Sequence, residues 1–277
     1  NRDYYTASWS EVMGEPRKPG EPDFSSRVFV VELYPDRGYP SLAIGSLDIL
    51  NVNIDAVNAK GLSVAILQDD TYGVDRSPKD YARMTGLTVY QLVRLIIDTC
   101  ATIDEAKEAI LVNTTQMVPL PAHFVVMDSS GRSFIYEKSS KDFSSCFLDG
   151  DGTKVVPITN HSVYDYPTLD TFPKQDPNDY DTFNRYRRLQ GYIDGHTGAW
   201  SVADGAYAMS IIFGRVDEAA EGGHHDLPLR TLYTAVVDND SRTMQIRFYQ
   251  KDGTTDPATG LPELIFSAPF DFTLKSE

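Results

Sequence analysis

The stretch NIDAVNAKGLSVAILQDD, from Asn53 to Asp70, decides the fold, because it has the pattern of a strand, a tight turn and a second strand. Apolar and polar residues alternate around Ile54, and Leu62–Leu67 is a continuous apolar run; both patterns favour strands. The turn Asn58–Gly61 ends in a glycine that can take a positive φ, as tight hairpins require. The stretch therefore predicts an antiparallel hairpin whose turn N–H groups lie at a sheet end, where a ligand oxygen could bind.

Further strand patterns flank this hairpin on both sides. Each is a short run rich in β-branched and aromatic residues and bounded by turn residues. Two precede the hairpin and seven follow it: Arg27–Tyr34, Ser41–Leu50, His123–Asp128, Arg132–Lys138, Phe143–Leu148, Lys154–Thr159, Thr231–Asp238, Arg242–Gln250 and Leu264–Leu274.

Helical spacing of apolar residues occurs in two pairs of segments. In the first pair, Thr102 is the expected N-cap of the second helix and Glu105 stands at its N3 position, as in a capping box. In the second pair, Thr182 is the expected cap of the first helix. The four segments are Thr88–Thr99, Ala106–Val112, Asp181–Ile193 and Val202–Arg215.

The helices are grouped rather than alternating with strands, which argues against a doubly wound parallel sheet. The order favours an α+β fold with two antiparallel sheets packed face to face, each covered by a helix pair. This four-layer αββα sandwich would use every apolar face in the chain. We therefore expect residues 1–277 to form a single domain.

The composition of the chain excludes some classes of binding partner. The formal charge of −15 argues against nucleic acid and anionic membranes, because their phosphates would be repelled. No apolar run approaches the ~18–20 residues that span a bilayer, so no membrane insertion is expected. Cys100 and Cys146 do not stand at metal-binding spacing and are expected to be buried free thiols.

Two motifs that resemble metal sites have simpler interpretations. His224 and His225 could bind a metal, as in a metal-dependent hydrolase, but no other His or Cys stands at ligand spacing, so a solvated loop is expected. The sequence from Asp149 to Gly152 begins like a calcium loop but lacks the later ligands, so a hairpin turn is expected. The sequence thus predicts no metal and no cofactor.

Three polar residues have ordinary interpretations when each is considered alone. Asp3 near the amino end would be a surface acid. Asn160 would be a strand-end turn residue. Arg185, close to two further arginines, would belong to a solvated cationic helix face.

Taken in order, however, these residues and their neighbours resemble a known family. Six motifs, spread over nearly the whole chain, resemble those of the choloylglycine hydrolase, penicillin V acylase and acyl-CoA:6-aminopenicillanic acid acyltransferase-like group of N-terminal-nucleophile (Ntn) amidases. The motifs are Asn1-x-Asp3 of G-R-N-x-D, Asn58–Leu62 of N-E-K-G-L, the hairpin His123–Glu137, Thr159-Asn160-His161 of T-N-H, Thr182-x-x-Arg185 of S-x-x-R, and the closing strand Thr231–Asp238.

The resemblance implies a four-layer Ntn fold and hydrolysis of linear amides, or acyl transfer, through an amino-terminal cysteine. Asp3 would hold the amine or thiol of that cysteine, and Arg185 would fix the local charge. The Asn58 backbone N–H and the Asn160 side-chain amide would stabilise the oxyanion. The implied partner is a small-molecule amide substrate.

The sequence departs from the family pattern at its amino end. The nucleophilic cysteine and the arginine of G-R-N-x-D would both precede Asn1, and neither Cys100 nor Cys146 is placed to substitute. We expect the nucleophile on a separate or upstream segment, so that the chain as given lacks the nucleophile strand. The alternative is a non-catalytic small-molecule-binding relative that has lost the nucleophile. Assembly into a homo-oligomer stays open.

Overall fold

A computed structural model describes residues 1–5, 8–12, 15–22, 27–46, 49–72, 86–117, 121–150, 152–174, 181–215 and 229–274. The strands are β1 Arg2–Tyr5, β2 Phe29–Leu33, β3 Ser41–Ser46, β4 Ile49–Asn58, β5 Ser63–Gln68, β6 Ala122–Met127, β7 Ser133–Lys138, β8 Ser145–Gly150, β9 Leu229–Asp238, β10 Thr243–Thr255, β11 Pro262–Phe266 and β12 Phe270–Thr273. The α-helices are α1 Trp9–Val12, α2 Val89–Thr99, α3 Ile103–Val112, α4 Thr182–Gly195 and α5 Val202–Ser210, and Leu169–Thr171 is a 3-10 turn.

The larger sheet has seven antiparallel strands, β2 to β8, each paired with the next in the chain. The smaller sheet has the order β1-β9-β10, and the long strand β10 then borders β12 along its first half and β11 along its second. All of these pairs are antiparallel. The predicted pair of antiparallel sheets is confirmed.

The core lies where the two sheets face each other and where helices cover them. Residues of β3 to β7 pack in one cluster with α2 and α3 on one side and with Tyr233, Met244 and Ile246 of the smaller sheet on the other. The pair α4 and α5 forms a second cluster around Leu189 and Ala208, and α5 contacts β9 of the smaller sheet. The predicted α+β sandwich with flanking helix pairs is therefore confirmed. No described helix has the length and apolar character that a membrane span requires.

The hairpin predicted from Asn53–Asp70 forms from β4 and β5. Gly61 has φ 80° in its turn, and a Cβ at this position would lie 2.4 Å from the backbone oxygen of Asn239. Both the conformation and the close approach therefore require glycine.

Asn239, in the turn between β9 and β10, ties the two sheets together at this end. Its buried side-chain nitrogen donates to the backbone oxygens of Gly61 and Met127, each at 2.9 Å, and lies 2.8 Å from Ser63 Oγ. One side chain of the smaller sheet thus holds two hairpins of the larger one.

Some predicted element boundaries are wrong. Residues 155–159 form no strand; Pro157 within this segment has no N–H to give to a ladder. The predicted strand Leu264–Leu274 is two strands, β11 and β12, separated by residues 267–269. The N-cap of α4 is Asp181, whose side chain accepts from the Asn184 N–H, and not Thr182.

Other local predictions are confirmed. Thr102 caps α3 by accepting from the Glu105 N–H, although the Glu105 side chain accepts from Ala101 and does not close the capping box. Cys100 and Cys146 are buried free thiols. His224 and His225 lie outside the described residues.

Candidate functional site

Three of the four predicted site residues meet at one end of the sandwich. Arg185, in the first turn of α4, places Nη1 at 3.8 Å from Asp3 Oδ2 and donates from Nη2 to Asn160 Oδ1 at 2.9 Å. The side chains of Arg185 and Asp3 are only 11% and 15% exposed. One guanidinium therefore connects an acid on β1 with an amide on the loop before α4.

Asp3 is fixed from the opposite side by β9. The Thr231 hydroxyl donates to Asp3 Oδ1 at 2.5 Å, and Thr231 Oγ1 accepts the Gly214 N–H at 2.8 Å. Gly214 also packs directly on the acid, since a Cβ there would lie 2.9 Å from Asp3 Cγ. The carboxylate is thus oriented by a hydroxyl, a guanidinium and a close backbone.

Asn160 is fixed to the end of β5. The side-chain nitrogen of Asn160 donates to the Gln68 backbone carbonyl at 2.8 Å. The backbone carbonyl of Asn160 accepts the Asp70 N–H at 2.7 Å. An amide nitrogen carries two hydrogens, and the bond to Gln68 uses one of them. The second hydrogen can serve the oxygen of a bound ligand.

Asn58 has a different place from the other three. Its backbone N–H donates to the Leu62 carbonyl at 2.9 Å, and its side-chain nitrogen donates to the carbonyls of Ile97 and Cys100 at the end of α2. The side-chain oxygen accepts from Lys60 and Leu62 within the turn. The N–H that we predicted for an oxyanion is therefore engaged inside the hairpin, and Asn58 holds the turn against α2.

Asp70 is a titratable neighbour that the sequence did not single out. The residue is exposed at the surface. Desolvation of its carboxyl group raises the pKa of Asp70 to about 6; Arg185 opposes this rise and Asp69 adds to it. A carboxyl with this pKa exchanges its proton near neutral pH. In the sequence, Gln-Asp-Asp after a strand looks like an ordinary polar turn, so no signal marked it.

A buried polar set next to Asp3 links the two sheets. Tyr233 on β9 donates its hydroxyl to Asp55 Oδ2 on β4 at 2.6 Å, and Arg2 on β1 pairs with the other Asp55 oxygen. Burial and the nearby Asp55 raise the pKa of Tyr233 well above its usual value, so it remains a donor. The strand that carries Asp3 is therefore anchored to the opposite sheet.

Among the described residues, one group of side chains has the composition of a metal site. Asp69, His123 and Glu137 are buried, and each offers a ligand atom within 4.8 Å of the others. His123 and Glu137 contact the segment that carries Asn160, and Asp69 contacts Thr71. They lie beside the Asp3–Asn160–Arg185 cluster, and His123 and Glu137 bond to Thr159 and Ser162 on either side of Asn160.

The profile of the acyl-coenzyme A:6-aminopenicillanic acid acyl-transferase family matches residues 20–252 of the chain. No curated protein matches the chain.

Solved structures with the same fold include two variants of the conjugated bile acid hydrolase from Clostridium perfringens. They have TM-scores of 0.56 and 0.57 and identities of 16% and 14%, and each match covers 86% of this chain and 82% of that one. Penicillin V acylase from Agrobacterium tumefaciens is similar with a TM-score of 0.54 and 17% identity, over 81% of this chain and 72% of that one.

Proposed function

Because the chain belongs to the acyl-coenzyme A:6-aminopenicillanic acid acyl-transferase family, we propose that it cleaves a linear amide and passes the acyl group to water or to an amine. The family match, together with a fold like that of a bile acid hydrolase and a penicillin V acylase, supports an amide hydrolase or acyltransferase of the Ntn type. The substrate is a small-molecule amide of a carboxylic acid.

The observation that carries this proposal is the meeting of Asp3, Asn160 and Arg185. An acid, an amide and a guanidinium from three separate parts of the chain are joined by an ion pair and a hydrogen bond. Each is held by a second contact, so the cluster is fixed before any ligand binds. Such fixed donors are what stabilises a developing negative oxygen.

The proposed nucleophile is an amino-terminal cysteine on a segment that precedes Asn1. Within the described residues β1 pairs along one edge only, with β9. Its second edge can therefore accept a further strand, and a strand in that position would bring its residues beside Asp3.

The chemistry proceeds in two balanced steps. In the first, the cysteine gives its proton to its own α-amine, and its sulfur bonds to the amide carbonyl carbon. The C–N bond then breaks, the amine leaves with that proton, and a thioester remains. In the second step, water or an acceptor amine attacks the thioester carbon, and the sulfur leaves and recovers a proton.

The chain's own residues would serve as follows. Asp3 holds the amine or thiol of the cysteine. Asn160 donates its second amide hydrogen to the oxyanion. Arg185 pairs with Asp3 and orients Asn160 through charge-assisted contacts. Asn58 has no part in this proposal, because its N–H is bonded within the hairpin.

The test uses protein made from the full-length gene. Penicillin V, conjugated bile salts and N-acyl amino acids are screened for hydrolysis, and intact mass after mixing detects the acyl-enzyme. Asn160→Ala should lower turnover by ~10²–10³, the usual effect of removing one oxyanion donor.

The matched control is Asn51→Ala, which changes an exposed asparagine of β4. Equal turnover for the two variants would contradict the role of Asn160. Absence of any acylated species and of any hydrolysis would contradict the amidase proposal and favour a relative that only binds such molecules.

A further inference from the structure

The segment that carries Asn160 is surrounded by three buried titratable side chains outside the proposed reacting groups. Asp69, His123 and Glu137 are 3%, 0% and 1% exposed. Burial of ionisable groups is costly unless their hydrogen bonds are satisfied. The partners that satisfy them therefore indicate why they are there.

Glu137, on β7, holds the residues after Asn160. Its Oε1 accepts from the Ser162 hydroxyl at 2.7 Å and from the Tyr164 N–H at 2.6 Å, and Oε2 accepts from the Val163 N–H at 3.2 Å. Burial alone would raise the pKa of Glu137, but nearby His123 and the hydrogen bonds from Ser162 and Tyr164 lower it overall. The carboxylate thus binds three consecutive residues.

His123, on β6, holds the residue before Asn160. Its Nε2 lies 2.9 Å from the Thr159 carbonyl oxygen, and because a carbonyl only accepts, Nε2 carries the hydrogen. Its Nδ1 faces Glu137 Oε2 at 3.6 Å. One ring therefore contacts the start of the segment and also faces the carboxylate that binds its end.

Asp69 acts through a threonine. Its Oδ1 accepts both the N–H and the hydroxyl of Thr71, at 2.9 Å and 2.7 Å. Since the hydroxyl hydrogen is given to Asp69, the lone pairs of Thr71 Oγ1 face the Ser162 N–H, which donates at 3.0 Å. Asp69 thereby fixes the acceptor for the Ser162 N–H, a further backbone group of the segment.

These contacts give each of the three side chains a partner within the protein. Glu137 and His123 Nε2 bond directly to residues 159–164, and Asp69 bonds to Thr71, whose Oγ1 accepts the Ser162 N–H. All three side chains therefore act on residues 159–164, directly or through Thr71.

We propose that Asp69, His123 and Glu137 are positioning residues that fix the Asn160 amide for the oxyanion. This inference rests on the proposed function. Asn160 sits between Thr159, which His123 holds, and Ser162, which Glu137 and Thr71 hold. The residues before and after Asn160 are therefore both held in position. A misplacement of about 1 Å at such a hydrogen-bond donor can lower the rate by ~10²-fold.

The first experiment is a double-mutant cycle on the full-length enzyme. Glu137→Gln keeps the shape but turns an N–H₂ group toward the segment's donors. It should lower kcat by ~10–100-fold with little change in KM. If Glu137 acts through Asn160, adding Glu137→Gln to Asn160→Ala should lower kcat by less than about 2-fold more. Multiplicative losses in the double variant would overturn the proposal.

The control is Glu108→Gln, the same change at an exposed position of α3. It should keep both kcat and KM. If Glu137→Gln does not fold, Asp69→Asn replaces it in the same cycle, because it weakens only the Thr71 bonds.

The second experiment separates this inference from the proposed function. Hydrogen exchange of the Asp70 amide, which donates to the Asn160 carbonyl, reports the position of the segment without any substrate. Exchange should be at least ~10-fold faster in Glu137→Gln than in Glu108→Gln. Unchanged exchange would overturn the inference even in an active enzyme, and faster exchange in a protein that cleaves no amide would overturn only the proposed function.

Discussion

At the scale of single residues, the position of Asp3 depends on Gly214, which has no side chain. Gly214 lies against the acid so closely that a Cβ would come within 2.9 Å of Asp3 Cγ. The same glycine donates its N–H to Thr231, which in turn orients Asp3. A small residue at this position is therefore needed for the geometry of the acid and not for backbone freedom.

Gly214→Ala should displace Asp3 from Thr231 and Arg185. We expect a loss of ~1–3 kcal/mol in unfolding free energy, as overpacking typically costs, and a fall in turnover. Urea denaturation and steady-state kinetics measure the two effects. Gly205→Ala in α5, where a Cβ meets nothing within 4 Å, should instead add ~0.5–1 kcal/mol. Equal effects from the two alanines would contradict this account.

Asn58 and Asn160 mark the limit of what single residues reveal in sequence. Both belong to motifs that resemble those of the family, so sequence treats them alike. Contacts separate them: Asn58 is enclosed between a turn and the end of α2, whereas Asn160 lies between Gln68 and Arg185. Those partners are 39 or 42, 92 and 25 positions away, and no local pattern encodes them.

At the scale of elements, His161 packs the Asn160 loop onto α4. Its ring stacks on Phe183 with centroids 4.8 Å apart and meets Phe172 and Tyr186 edge-on. Burial in this aromatic cluster lowers the pKa of His161 to about 4. The neutral ring is the form that the folded loop accepts.

This pKa predicts a pH dependence of stability. Because the folded pKa lies below the ordinary 6.5, the contribution of the neutral ring is complete above about pH 6.5 and is lost as pH falls toward 4, by up to ~3 kcal/mol. His161→Phe should flatten the unfolding free energy across this range.

Denaturant unfolding at several pH values between 4 and 7 measures the slope. Tyr186→Phe, which changes another ring of the same cluster, should keep the slope of the unaltered protein. A slope for His161→Phe equal to that of Tyr186→Phe would contradict the assignment.

Elements with strong local patterns were predictable, and those that depend on partners were not. The hairpin of β4 and β5 and the helices α2 and α3 follow from spacing, turn residues and caps. The segment 154–159 has strand-like residues, but Val155 and Val156 are 41% and 52% exposed, and no strand in the described part of the chain pairs with them. Strand formation requires such a partner, which sequence spacing does not report.

At the scale of the whole molecule, the layer order was also predictable, because grouped helices leave few ways to cover two sheets. The side-chain hydrogen bonds that tie the two sheets together were not predictable. Asn239 appears in the sequence as a turn residue, yet it bonds to Gly61, Ser63 and Met127 of the opposite sheet. Asp55, Arg2 and Tyr233 form a second tie.

Asn239→Ala should lower the unfolding free energy by ~2–4 kcal/mol, since the two hydrogens of its amide serve oxygens of Gly61, Ser63 and Met127, and these oxygens lose that donor. Thermal and urea unfolding measure this change. Asn113→Ala, which removes one local bond to Ala109 at the end of α3, should cost less than ~1 kcal/mol. A loss no larger for Asn239 than for Asn113 would show that the tie contributes little.

The polar ties also bear on how new substrate ranges arise. Asn239 in the β9–β10 turn and Asp55 within β4 each bond across the two layers and hold them in a single alignment. For the proposed amidase, changes in substrate range would then come from the connecting segments. Loops from a relative could be grafted onto this two-sheet scaffold, provided that Asn239, Asp55, Arg2 and Tyr233 are kept.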